Sequence, residues 1–171
     1  MILWFIGISG SGKSTLGNAL KRALDGKKVP NAILDGDVVR KFFDHDLGYS
    51  RENRMANIKR IQFAAHVLSE NNMVTIVCNI CPFQELRDFS RAKFHDYNEI
   101  YLQKDLNRSI HSDVKSVYKK HHGKTAIIGL DIPFDEPVSC DLRIDVDTLT
   151  VDQSLEKVNQ YLRAKYPSWP L

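Results

Sequence analysis

Long hydrophobic runs are missing from this chain. Its longest apolar stretches, "MILWFI" and "MVTIVC", fall far short of the roughly 20 residues that a membrane-spanning helix needs, so no span is expected. The N-terminus also lacks a basic segment ahead of a longer apolar run and a small-residue cleavage site. A secretory signal is therefore not expected, and a cytoplasmic location is. Cysteine is scarce, with three in 171 residues. Cys78 and Cys81, in "CNIC", are the tempting pair. On a strand over 74–81, positions three apart point to opposite faces with α-carbons roughly 10 Å apart, beyond disulfide reach. A second metal-binding pair is missing too, since Cys140 stands alone and His121 and His122 are neighbours in a polar stretch. Buried or site-lining thiols in a reducing compartment are the expectation. A strong excess of one sign of charge is also missing: the net value is only +3. Basic residues gather in "RENRMANIKR" and "KSVYKKHHGK", which suggests local anion sites rather than a nucleic-acid surface.

What is present is the make-up of an ordinary folded domain, 43% hydrophobic and 26% charged, with a length that fits one domain over 1–171. Short apolar runs at 2–6, 32–35, 73–80, 99–102 and 142–146 read as buried strands. Longer segments between them read as helices. The clearest begins after Ser50, a suitable N-cap, carries Met55, Ile58, Ile61, Ala65 and Leu68 on one face, and stops at "ENN". The last starts near Asp152 and repeats the pattern with Leu155, Val158 and Leu162. Strands alternating with helices predict an α/β fold, with a mostly parallel sheet covered on both faces.

Chemistry enters with "GISGSGKST", Gly7 to Thr15, which matches G-x-x-x-x-G-K-[ST]. It follows the strand "ILWFI" and precedes the helical pattern "STLGNALKRAL", as a phosphate-binding P-loop must. Gly7, Gly10 and Gly12, with Ser9 and Ser11 between them, let backbone amides close around phosphate oxygens. The helix N-terminus adds its positive end, Lys13 reaches the outer phosphates, and Ser14, next to Thr15, is placed to ligate magnesium.

Such a site needs an acid near the metal, and the strand "TIVCNI" offers none. Asp35 and Asp37, in "AILDGDVVR", arrive at the end of the second strand, where ligands gather beyond the carboxyl edge of an open sheet. Asp37 has a plainer reading as N-cap of the helix "VVRKFFDH", which leaves Asp35 unexplained; Gly36 would permit a tight turn aiming both carboxylates inward. Arg40, one turn on, is placed to bind an anionic acceptor while Asp37 takes a hydroxyl proton. In "DLGYSRENRMANIKR", Arg54 and Asn57 lie three apart on one helix face and can present a fork and an amide to one ligand. Tyr49 either stacks on a base or staples the turn to the core.

Together "GISGSGKST", "LDGDVVR", "DLGYS…NR…NIKR", "CPF", "VYKK" and "GLDIPFDEP" closely resemble the adenylylsulfate kinases, in order and from about Ile2 to Asp147. The resemblance implies the P-loop kinase fold, a three-layer α/β sandwich around a five-stranded, mostly parallel sheet, with a mobile lid at about 108–128. It implies transfer of the ATP γ-phosphoryl group to the 3'-hydroxyl of adenylylsulfate with Mg2+, and a homodimer. It assigns Gly10 to Thr15 to the ATP phosphates, Asp35 and Asp37 to metal and acceptor hydroxyl, and Arg40, Arg54 and Asn57 to the acceptor. Tyr49, Ile80, Cys81, Lys115 and Ile127 complete the implied acceptor site.

Departures from the family pattern fall mostly on the acceptor side. Cys81 replaces a serine linked to a phosphoenzyme form, Gln84 an arginine, Asn53 an acid, and Ser112 the first arginine of the lid. Lys115, Lys119 and Lys120 remain to screen phosphate charge. Ile127 stands where a phenylalanine normally stacks on adenine. The chain also resembles cytidine diphosphoramidate kinase of capsule biosynthesis, whose smaller pyrimidine would need less stacking area. From a different class, a non-catalytic nucleotide-binding regulator is opposed by the joint presence of Lys13, Ser14, Asp35 and Asp37.

Overall fold

A computed structural model describes residues 1–112 and 126–171. Most of the expected lid, with Lys115, Lys119 and Lys120, lies outside the described residues.

Five strands form one sheet: β1 (Ile2–Ile6), β2 (Asn31–Asp35), β3 (Val74–Cys78), β4 (Tyr97–Gln103) and β5 (Leu142–Asp145). Their order is β2-β3-β1-β4-β5, and each neighbouring pair is parallel. The connecting helices are α1 (Lys13–Gly26), α2 (Gly36–Phe42), α3 (Arg51–Glu70), α4 (Gln84–Lys93), α5 (Leu106–Ser112) and α6 (Val151–Lys165). None of these is long and apolar enough to cross a membrane.

The strand period of two divides the core. Leu3 and Phe5 of β1 face a layer built on α1 and α6, with Leu16, Leu20, Val158 and Leu162. Ile2, Trp4 and Ile6 face the opposite layer, with Ile58, Ile61 and Ala65 of α3 and Leu86 of α4. A sheet covered on both faces explains why its strands read as unbroken apolar runs.

Helix starts follow the expected chemistry. The Ser50 side chain accepts from Asn53 N at the head of α3, and Thr150 with Gln153 makes a reciprocal capping box at α6. Two strand boundaries differ by two residues from the sequence reading, and the others agree to within one. β3 stops at Cys78 rather than residue 80, because Cys81 takes a left-handed φ of 43° and its N–H turns to the Asn79 side chain. β4 runs two residues further at its start. Asn98 and Glu99 are buried there by polar partners: Tyr161 and Lys165 donate to Asn98 Oδ1, and Tyr97 donates to the Glu99 carboxylate.

Candidate active site

The P-loop lies between β1 and α1 at the carboxyl edge of the sheet. A Cβ at Gly7 would come within 2.5 Å of the Leu102 carbonyl of β4, so only glycine lets the loop leave the sheet there. Gly10 and Gly12 hold positive φ, and Gly12 opens α1 without any side-chain cap, which leaves the first amides of the helix to an anion. Lys13 folds back over the loop, its ammonium donating to the carbonyls of Gly7 (2.8 Å) and Ile8 (2.7 Å) and to Ser11 Oγ (3.3 Å). Ser9 is partly covered, and Thr15 is exposed on the first turn of α1.

Gly17 brings Ser14 to the acids. One turn beyond Ser14, it packs so closely that a Cβ there would lie 2.4 Å from Cys78 Sγ, seating α1 across the ends of β2 and β3. Asp35 pairs in register with Cys78, which itself pairs with Phe5 just before the loop. Ser14 Oγ therefore reaches Asp35 Oδ2, at 2.5 Å. A hydroxyl and a carboxylate converging beside a phosphate cradle suit magnesium, which takes one or two carboxylates plus phosphate oxygens and keeps several waters. No cluster of three or more acidic, histidine or cysteine ligands occurs among the described residues, and magnesium does not require one.

The capping expectation at the next helix is corrected. Asp35, not Asp37, is the N-cap of α2: its Oδ1 accepts from Asp37 N at 2.9 Å, and Asp37 is an exposed residue in the first turn. Asp35 thus holds a helix and faces Ser14 at once, and the cap does not draw on the Asp37 carboxylate. Gly36 is not at positive φ either. It is small because Asn79 lies against it, its absent Cβ being 2.3 Å from Asn79 Nδ2.

On the acceptor side, Arg40 and Arg54 converge on Tyr49, with guanidinium carbons 4.7 and 5.2 Å from the ring centre. Arg40 is buried and donates to the carbonyls of Leu47 and Gly48. Arg54 donates to the carbonyls of Tyr49 (2.8 Å) and Ala126 (2.6 Å), and burial beside the charge of Arg40 lowers its pKa. Among the described residues neither guanidinium makes an ion pair with a carboxylate, so two partly desolvated cations are held by carbonyl dipoles. That arrangement favours an anionic ligand. Asn57, one turn from Arg54, is 2% exposed, and its Oδ1 has no partner among the described residues. Ile80 is partly covered. Cys81 is fully enclosed and burial pushes its thiol up to about 12, so it is neutral at physiological pH. Ile127 is buried as well, and its N–H donates to Asp131 Oδ2.

The sequence reading missed the other flank of the P-loop. A cavity of about 640 Å3 opens beyond the ends of β4 and β5, lined among others by Ile8, Gln103, Lys104, Asp105, Asp145 and Thr148. Lys104 Nζ donates to the Gly10 carbonyl, tying this flank to the loop. A signal for it exists in the sequence: "QKD" and "DVDT" follow the fourth and fifth strands at the edge where ligands gather.

Residues 1–145 match the family described as adenylylsulphate kinase. An adenylyl-sulfate kinase of Oceanobacillus iheyensis is 36% identical over 168 residues, covering 96% of this chain and 84% of that protein. The structure of the Mycobacterium tuberculosis APS kinase CysC, in complex with AMPPNP and APS, superposes with a TM-score of 0.89 at 30% identity, over 95% of this chain and 96% of that one. A hexameric APS kinase from Thiobacillus denitrificans is similar at 27% identity with a TM-score of 0.72, over 96% of this chain and 29% of that one.

Proposed function

This chain belongs to the adenylylsulphate kinase family, and from that premise we propose that it transfers the γ-phosphoryl group of ATP to the ribose 3'-hydroxyl of adenylylsulfate. The observation that carries the acceptor half is the pair of carbonyl-held guanidiniums, Arg40 and Arg54, flanking Tyr49 with no carboxylate paired to them among the described residues. They would hold the anionic tail and the base while Asn57 bonds the nucleotide. On the donor half, the amides of Ser9 to Thr15 cradle the phosphates. Lys13 exchanges its loop carbonyls for the outer phosphate oxygens, where its charge stabilises the transition state.

Ser14 and Asp35 would hold magnesium, with Asp37 close by, and the bound ion would supply neutralisation of the phosphate charge. The reaction on this chain's side is a proton transfer and a positioning problem. Asp37 accepts the proton of the 3'-hydroxyl, that oxygen forms the bond to the γ-phosphorus, and the bond to the β–γ bridging oxygen breaks to leave ADP. Cys81 takes no part as a nucleophile, since a buried neutral thiol is neither activated nor accessible. Cytoplasmic location and assembly as a homodimer belong to the same reading.

The relatives described above are named for adenylylsulfate, so the cytidine diphosphate acceptor is not favoured. It remains an arm of the test. Purified chain with ATP and magnesium is offered adenylylsulfate and, separately, cytidine and uridine diphosphate derivatives. ADP release that requires adenylylsulfate supports the proposal; release that requires a pyrimidine nucleotide instead replaces the acceptor.

A further inference from the structure

We infer that Asn79 is a positioning residue that fixes the acceptor loop against the paired acids, an inference that rests on the acceptor site just proposed. Asn79 follows the last residue of β3, and its Oδ1 accepts from Cys81 N at 2.9 Å. That bond supports the left-handed backbone at Cys81, a conformation that disfavours side-chain-bearing residues. It also settles which end of the amide is which, so Nδ2 is the end that faces Gly36. A Cβ added at Gly36 would stand 2.3 Å from Nδ2, 3.4 Å from Cγ and 3.8 Å from the Asn79 Cβ. Gly36 is the first residue of α2 and is not among the positive-φ glycines, so its backbone would accept alanine. Space excludes it, and the Asn79 amide fills that space.

Gly36 separates Asp35 from Asp37, and Ile80 and Cys81 follow Asn79. One amide therefore touches both the residue between the two aspartates and the loop of the proposed acceptor site. The far side of the loop is held by Arg87, which is 1% exposed and donates to the carbonyls of Cys81 (2.9 Å) and Asp135 (2.6 Å). With Arg87 fixing one side, the amide sets how closely the loop approaches the acids. Small displacements between reacting groups are costly to phosphoryl transfer.

The test is a double-mutant cycle of Gly36→Ala, Asn79→Ala and the two combined, read in kcat, in KM for adenylylsulfate and for ATP, and in thermal unfolding. Each single variant is expected to raise KM for adenylylsulfate by about tenfold or more while KM for ATP stays within about twofold. The double variant is expected to be no worse than Asn79→Ala alone, since only the ordinary contact with the residue 79 Cβ remains. Additive losses, or KM values for both substrates rising together with the loss of stability, would overturn the inference. An acceptor-independent readout is the alkylation rate of Cys81 by iodoacetamide, followed by peptide mass. Gly36→Ala should unmask Cys81 although residue 36 is not its neighbour in the chain, the double variant should match Asn79→Ala, and Asn79→Asp, which keeps the acceptor oxygen, should stay protected. Unchanged protection in Gly36→Ala contradicts the coupling. If the parent enzyme ignores adenylylsulfate, the acceptor reading fails and the alkylation cycle alone decides the role of Asn79.

Discussion

Ser14 Oγ donates to Asp35 Oδ2 across 2.5 Å, joining the first turn of α1 to the carboxyl end of β2. The same carboxylate caps α2 through its other oxygen. Substitutions at Asp35 therefore separate two roles. An asparagine there keeps a capping side chain but loses the charge, so Asp35→Asn is expected to retain stability and to shift the magnesium dependence of turnover to higher concentration. Asp35→Ala loses both, and should also cost about 0.5–2 kcal/mol in unfolding. A magnesium titration and a denaturant titration on the two variants check this; an unshifted magnesium curve in Asp35→Asn removes the metal role.

Asp37 is exposed in the first turn of α2, whose cap is Asp35. Asp37→Asn is expected to lower kcat by about a hundredfold or more, the usual contribution of a general base, with ATP affinity and stability nearly unchanged. Steady-state kinetics beside a nucleotide-binding titration measure it. A kcat near that of the parent would move the base elsewhere.

The sheet, its covering helices and the P-loop were legible because each rests on a local pattern: strand periodicity in "ILWFI", the glycine spacing of "GISGSGKST", and the cap at Ser50. The division of labour between Asp35 and Asp37 was not. Either aspartate can cap, and the choice depends on where α2 begins, which the local pattern leaves open between Asp35 and Asp37. The fourth run was read as 99–102, which leaves out Asn98, and only partners remote in sequence, such as Arg87, Arg91, Tyr161 and Lys165, make the burial of Asn98 and Glu99 tolerable. Ile127 was read as a wall of the acceptor site by resemblance alone; in the fold it is a buried residue beside the Ala126 carbonyl that holds Arg54.

Tyr49 offers a ring that is nearly half exposed, with both guanidiniums against it. Losing base stacking of roughly 1–3 kcal/mol corresponds to about one to two powers of ten in affinity. Tyr49→Ala is accordingly expected to raise KM for adenylylsulfate by that factor, and Tyr49→Phe to leave it close to the parent value. KM for ATP should not move in either variant; equal effects on both substrates would assign Tyr49 to the fold alone.

Cys81 carries a pH dependence. Burial holds its thiol at about 12 in the folded chain, above its ordinary value near 9. As pH rises past the unfolded value, the unfolded chain releases this proton and the folded chain keeps it. Stability is therefore lost with increasing alkalinity, at up to about 1.4 kcal/mol per pH unit for one proton. Cys81→Ser is expected to flatten that alkaline slope and to keep activity within a few-fold, with no phosphoenzyme in the parent. Denaturant titrations across the alkaline range decide the first point. An unchanged slope, or a phosphorylated protein trapped on the catalytic timescale, contradicts the assignment.

The measurement that bears most directly on the proposed activity is the identity of the product formed from adenylylsulfate, ATP and magnesium by the parent chain and by Lys13→Ala. The expected products are ADP and adenylylsulfate carrying one added phosphoryl group on its 3'-oxygen, with a loss of about a hundredfold or more in the folded Lys13→Ala variant. Recovery of unmodified adenylylsulfate, a phosphoryl group on another oxygen, or undiminished transfer by Lys13→Ala would contradict it.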